Sequence, residues 1–131
     1  MTRVLDIVTA VIRDETGRML LVRKRGTSIF MKPGGKRDAG EDDLTTLARE
    51  LKEELGCRLV AAERLGHFSA PAANEAGFTV QSATYLATVE GDIAPRAEIE
   101  ELVWIDPAAP GDLRLAPLLT QQVLPALANT R

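Results

Sequence analysis

Gly35 to Cys57 reads GKRDAGEDDLTTLARELKEELGC, and the fold of the chain turns on it. At roughly 100° per residue, Leu44, Leu47, Ala48, Leu51 and Leu55 share one helix face, which predicts burial against a core. Glu50, Glu53 and Glu54 fall on roughly the opposite side. Glu41, Asp42 and Asp43 occupy the first turn, where carboxylates suit the helix dipole, and Gly56 follows the last leucine as a helix stop. Three like charges at i, i+3 and i+4 repel one another on a helix surface. A solvated face is the ordinary explanation, and Lys52 beside them fits it. The alternative is a divalent cation with oxygen ligands, and magnesium is the common one that also holds phosphate.

The residues before the helix weigh on that choice. Pro33-Gly34-Gly35 predicts a tight turn, because a glycine pair reaches backbone shapes closed to other residues. Gly40 repeats the device just before Glu41. The whole window then runs from Gly35 through Glu41 to Arg49, Glu50, Leu51, Glu53, Glu54 and Gly56. This spacing resembles the Nudix box, the signature of the Nudix hydrolase superfamily. The final aliphatic position is Cys57 here, and cysteine buries like a small hydrophobe.

Outward from the box, the chain has 131 residues, enough for one domain, 1–131, with a real core. Its net charge of -3 argues against broad electrostatic binding to nucleic acid. A single cysteine excludes an internal disulfide. No stretch reads as a signal peptide or as an apolar run able to span a membrane, so the expectation is a cytoplasmic enzyme without a membrane partner.

Val4 to Ile12 and Met19 to Lys24 read as strands joined by the turn Asp14 to Gly17, which predicts a hairpin. Ile29 to Met31 reads as a short extended segment and Leu59 to Phe68 as a strand. Ala70 to Gly77 reads as a loop by its Pro, Asn and Gly content. Phe78 to Val89 and Ile99 to Ile105 complete the strands, and Leu115 to Ala128 reads as a closing helix kinked at Pro125. Strands on both sides of one helix, with a second helix at the end, imply a mixed sheet covered on two faces. The resemblance implies the same α/β class: a Nudix-type α/β/α sandwich with a mixed β-sheet.

The resemblance also implies roles. Glu50, Glu53 and Glu54, with the Gly34 carbonyl, become ligands of Mg²⁺ or Mn²⁺. Arg49 becomes the arginine that orients a box glutamate through a charged hydrogen bond. Glu41 is either a further ligand or a helix-dipole acid. The general base is a box glutamate or a distant acid. Glu98, Glu100 and Glu101 stand where such an acid is found, with Glu98 or Glu101 preferred. Lys32, Arg23 and Arg25 are candidates for substrate phosphate, against structural uses for each. His67, the only histidine, reads as a core or edge residue, and Phe30, Phe68, Phe78, Tyr85 and Trp104 as core or base-stacking groups.

The function implied is metal-dependent hydrolysis of the pyrophosphate bond of a nucleoside diphosphate linked to another group. The short chain leans towards the MutT-like nucleoside triphosphate pyrophosphatases. Nucleotide sugars and dinucleoside polyphosphates share the box, because it recognises pyrophosphate and metal rather than the base. A catalytically silent nucleotide-binding or regulatory domain is the rival, and retention of every box glutamate argues against it. A homodimer is common in the family.

Overall fold

The computed structural model describes residues 3–128. Strand β1 (Arg3–Ile12) is followed by β2 (Met19–Lys24), β3 (Phe30–Met31), β4 (Gly34–Lys36), helix α1 (Asp43–Leu55), β5 (Arg58–Pro71), β6 (Phe78–Glu90) and β7 (Ile99–Ile105). A π-helical turn, Leu119–Val123, then runs into α2 (Leu124–Ala128). The strands form a mixed sheet of order β4-β1-β6-β5, with β1 and β6 parallel, and a smaller antiparallel sheet of order β3-β2-β7.

Strand alternation sends successive side chains to opposite faces and so builds the two halves of the core. Val8, Ala10 and Ile12 of β1, with Leu20 and Val22 of β2, pack on Leu47, Leu51 and Leu55 of α1. Val11, Met19 and Leu21 face the other way, onto Leu118, Leu119, Val123 and Leu127 of the closing helix. The sandwich expected from the sequence is therefore present, with its β layer divided between two sheets.

The predicted β1–β2 hairpin does not form. Both edges of β1 are taken, by β4 and by β6, and β2 pairs with β3 and β7 in the other sheet. Only the Arg13–Met19 bridge joins the two strands. The turn itself holds, because the Asp14 carboxylate accepts from the Thr16 and Arg18 amides and the Thr16 hydroxyl. It redirects the chain from one sheet to the next.

Pro33-Gly34-Gly35 is also not the tight turn expected. Gly34–Lys36 is an extended edge strand antiparallel to β1, with Thr9 opposite Gly34 and Val8 opposite Gly35. The glycines serve closeness rather than turning. At φ 144°, a Cβ on Gly34 would stand 2.1 Å from the Val8 carbonyl oxygen. A Cβ on Gly35 would stand 2.5 Å from the Glu50 carboxylate.

Helix α1 is capped by Asp42, whose carboxylate accepts from the Thr45 amide, and stops at Gly56 in the left-handed region with its N–H on the Lys52 carbonyl. The buried stripe runs through Leu47, Leu51 and Leu55. Leu44 shares that face, but it lies in the first turn and is 46% exposed. The three glutamates are not together on the far side. At 3.6 residues per turn Glu54 lies roughly 60° from Leu51 and Glu53 roughly 160° away. Glu54 is accordingly buried and Glu53 half exposed.

The closing helix was predicted from Leu115, but Leu115 instead bridges Phe30 in parallel and helical geometry begins at Pro117. The predicted disturbance at Pro125 appears as the π-helical turn before it, where the Leu124 N–H reaches back to the Leu119 carbonyl. Pro125 has no N–H with which to continue an α-helical ladder.

The core assignment is testable by two leucines on one helix. Leu51→Ala, at a fully buried position, is expected to cost about 2–5 kcal/mol in denaturant unfolding. Leu44→Ala is expected to change stability by less than about 0.5 kcal/mol. Equal costs would contradict the packing of α1 described here.

Candidate active site

One face of α1, the glycine strand β4 and the 72–77 turn together border a cavity of about 600 Å³. Its acidic end carries Glu50, Glu54 and Glu98 beside Gly34 and Gly35. Its apolar wall includes Leu5, Ile7, Val80, Leu118 and Leu119. Lys24, Arg25, Lys32 and Lys36 also line it. None of these residues is aromatic.

Glu54 is 3% exposed and accepts a 3.0 Å hydrogen bond from the Gly34 amide. Burial raises its pKa to about 8, against the lowering effect of that bond, and Glu50 and Glu98 add repulsion. Burial likewise raises Glu50, against its bond to Arg49. Glu53 is 53% exposed at its side chain and lies 3.6 Å from the Arg49 guanidinium.

Arg49 joins these acids to the loop before the helix. Its Nε and Nη2 donate at 2.8 Å each to the two oxygens of Glu41, in a fork that suits a carboxylate. Its Nη1 donates to Glu50 at 3.1 Å and its Nη2 to the Lys36 carbonyl at 2.9 Å. Glu41 also accepts from the Asp38 amide and the Thr46 hydroxyl. Arg49, followed by the Asp38 amide, holds Glu41 down to about 2, and Glu41 first among its partners raises Arg49 further above its usual range. Glu41 stands one residue before the Asp42 cap, so it is a structural tie at the helix entry and not the first-turn acid expected.

The remaining candidates separate by their partners. Glu98 lines the cavity, 3.7 Å from the Lys24 amine. Glu101 pairs with Arg23 and Glu100 with Arg25 across the β2–β7 region. Arg23 also donates to the Thr27 carbonyl and is outside the cavity lining, whereas Arg25 borders it. His67 lies exposed on β5. Tyr85 donates to Asp43 at 2.6 Å, Phe78 lies under the Arg3 guanidinium, and Phe30, Phe68 and Trp104 pack in the core clusters.

Sequence reasoning missed two features. Lys24 and Lys36 line the mouth, and alternation in β2 gave no reason to separate Lys24 from its neighbours. A buried set of hydroxyls, Thr9, Ser82 and Thr84, meets the Lys32 amine through Thr9. Polar positions inside runs of apolar strand residues were the available signal for it.

As the side chains stand, no group of three acids, histidines or cysteines among the described residues is gathered to hold a cation. The donor chemistry fits one nonetheless. Glu50, Glu53, Glu54 and the Gly34 carbonyl are all hard oxygen donors of the kind Mg²⁺ or Mn²⁺ takes. Glu54 makes no salt bridge among the described residues, and a carboxylate buried that way gains from a cation what it loses in hydration.

The raised Glu54 pKa has a signed consequence for stability. Unfolded, this acid loses its proton near 4.5, and folded, near 8. In between, the folded state binds more protons, so stability of the metal-free protein should fall as pH rises, by up to about 1.4 kcal/mol per pH unit. Lys32, pushed down by burial to about 7, acts with the opposite sign above that pH. Between pH 5 and pH 7 Glu50, also raised by burial, acts with the same sign, so Glu54→Gln should reduce rather than abolish the slope of melting temperature against pH there. A slope unchanged in the variant would show that Glu54 is ionised throughout.

Comparison with known proteins agrees with this geometry. The NUDIX domain family model matches residues 4–127. An 8-oxo-dGTP diphosphatase of Haemophilus influenzae is 34% identical over 70 residues, 50% of this chain and 52% of that protein. An 8-oxo-(d)GTP phosphatase of Mycolicibacterium smegmatis is 35% identical over 75 residues, 56% of this chain and 22% of that protein. The chain thus spans about half or less of the length of these relatives. A MutT NUDIX hydrolase from Burkholderia pseudomallei superposes with a TM-score of 0.77 at 25% identity, over 98% of this chain and 99% of that one. With a match of this extent over the fold and the acidic helix described above, the chain belongs to the Nudix family.

Proposed function

We propose that this chain is a MutT-like nucleotide pyrophosphatase that hydrolyses a phosphoanhydride bond of a nucleoside triphosphate with a divalent cation. The observation that carries the reading is the buried carboxylate of Glu54, without a salt bridge among the described residues, at the acidic end of a cavity whose other wall is apolar. The names of the two relatives make an oxidised guanine nucleotide the first substrate to try. The reading takes residues 1–131 as one Nudix domain acting in the cytoplasm.

Nudix hydrolases generally use divalent metal ions, and Mg²⁺ or Mn²⁺ is assigned here to Glu50, Glu53, Glu54 and the Gly34 carbonyl. Such a cation supplies neutralisation of phosphate charge and a bound water of lowered pKa. Arg49 fixes Glu50 in place through the bond that also anchors it to Glu41 and Lys36. Glu54, raised by burial to about 8, would be one of the residues that hold the cation, in its ionised form. Glu98, which lines the cavity 3.7 Å from the Lys24 amine, is the acid assigned to take the proton of the attacking water. Lys24, Arg25 and Lys36 at the mouth offset phosphate charge.

The test is a panel of nucleoside triphosphates, nucleotide sugars and dinucleoside polyphosphates with Mg²⁺ or Mn²⁺, scored by the products released. Triphosphates should yield monophosphate and pyrophosphate, and excess EDTA should abolish turnover. Glu54→Gln should lower kcat by roughly a hundredfold or more while keeping the fold, as loss of a charged group at a reacting centre does. Preference for sugar or dinucleoside substrates would move the assignment within the family. Binding without hydrolysis would make the chain a silent domain, and activity retained in EDTA would remove the cation from the reading.

A further inference from the structure

Lys32 is a polar feature of the cavity that chemistry at α1 does not use. It is 5% exposed, and its amine donates to Thr9 Oγ1 at 2.7 Å. Thr9 Oγ1 meets Ser82 Oγ at 2.8 Å, and Ser82 meets Thr84 Oγ1 at 3.1 Å. The three hydroxyls are buried. They interrupt a face of β1 and β6 that otherwise presents Leu5, Ile7, Val11 and Val80 to the closing helix. No carboxylate pairs with Lys32 among the described residues. Burying an amine this way costs stability, and polar groups that break a local packing rule concentrate at functional sites.

Its place in the fold says which end of a substrate it meets. Val8, Ala10 and Ile12 of β1 face α1, whereas Leu5, Ile7 and Val11 face the closing helix. Thr9 belongs to the second set, and it is bonded to Ser82 and Thr84 on the same face of β6. The Lys32 amine therefore lies on the side of the sheet away from Glu50 and Glu54, against the apolar wall. Phosphate and cation belong to the acidic end, so the amine faces the part of the substrate that enters between Leu5, Ile7, Val80 and Leu118. On this placement Lys32 meets a different part of the substrate from the phosphate suggested by the sequence.

In its protonated form the Lys32 amine has three donors and no acceptor. One donor goes to Thr9, which leaves two for a ligand. The match in an otherwise apolar wall is a carbonyl oxygen. Resting on the nucleotide hydrolase reading above, we infer that Lys32, positioned by Thr9, is a specificity residue that selects heterocycles presenting a carbonyl oxygen over those presenting an amino group at the same place. An amino group there sets donor against donor and leaves both unsatisfied, the kind of mismatch that discriminates strongly in a buried site.

Two pairs of substrates make this change, together with the proton it puts on the neighbouring ring nitrogen: dITP against dATP, and dUTP against dCTP, each hydrolysed with Mg²⁺. The wild type should favour the carbonyl member of a pair by roughly tenfold or more in kcat/KM, as a hydrogen bond to a charged donor allows. Lys32→Met should bring that ratio to within about threefold of unity, acting through KM. Thr9→Val keeps the shape and strand preference of its site, so it tests the same ratio if Lys32→Met does not fold, and it should reduce the ratio by a smaller factor. A ratio unchanged in folded variants overturns the inference. An equal loss for all four nucleotides also overturns it, by placing the amine on phosphate. If the wild type hydrolyses 8-oxo-dGTP but none of the four, this inference alone is overturned; if it hydrolyses neither these nor 8-oxo-dGTP, the parent reading falls and this one with it.

Discussion

The bond from the Gly34 amide to the Glu54 carboxylate is the constraint on which the site depends. It requires an extended strand without side chains to lie against the flank of α1, and both glycines of β4 are needed for that approach. Gly34 presses on the Val8 carbonyl of β1, and Gly35 leaves the space that Glu50 fills. The edge strand, the helix and the central strand are therefore fixed with respect to one another within the tolerance of a single Cβ. A carboxylate held in that wedge cannot hydrate freely, and its proton affinity rises accordingly.

Arg49 carries the same constraint into the loop that precedes the helix. Its guanidinium spans Glu41, Glu50 and the Lys36 carbonyl, so one side chain ties the entry of α1 to the end of β4. A lysine would offer a point charge where a planar fork is used. Repulsion among the acids is moderated in this way at Glu41 and Glu50. It remains at Glu54, where the nearest hydrogen bond comes from a neutral amide. The division leaves Glu54 as the buried carboxyl with the raised pKa, while Glu41 and Glu50 are tied in place by Arg49.

The cavity joins two chemistries beside the short edge strands β3 and β4, one from each sheet. Acids from the α1 side and apolar side chains from the closing-helix side reach the same space around those strands. The 72–77 turn and Thr27 close the rim from loops, which is where a scaffold can vary its ligand without disturbing its core. With no aromatic platform in the lining, hydrogen bonding and aliphatic packing carry recognition of whatever part of a substrate enters there.

The sequence by itself determined the helix, its cap and stop, the acids on it, the arginine among them, and the strand order along the chain. These are local: periodicity, glycine and carboxylate placement act within a few residues of one another. Family membership was legible for the same reason, since the box is a contiguous window. What only the tertiary structure decided was pairing and burial. The β1–β2 turn was read correctly but not its consequence, because the two edges of β1 were claimed by strands far along the chain. Glu50, Glu53 and Glu54 look alike in sequence, yet β4 covers one, leaves one half-enclosed and misses the third, and burial raises the proton affinity of Glu54 and Glu50. Likewise Arg23 and Arg25 part company through the register of β2 with β7, and Lys32 takes its meaning from Thr9, Ser82 and Thr84, whose hydroxyls meet only when β1 and β6 lie side by side. Burial and pairing are sums over distant segments, and no local pattern encodes which segment will arrive.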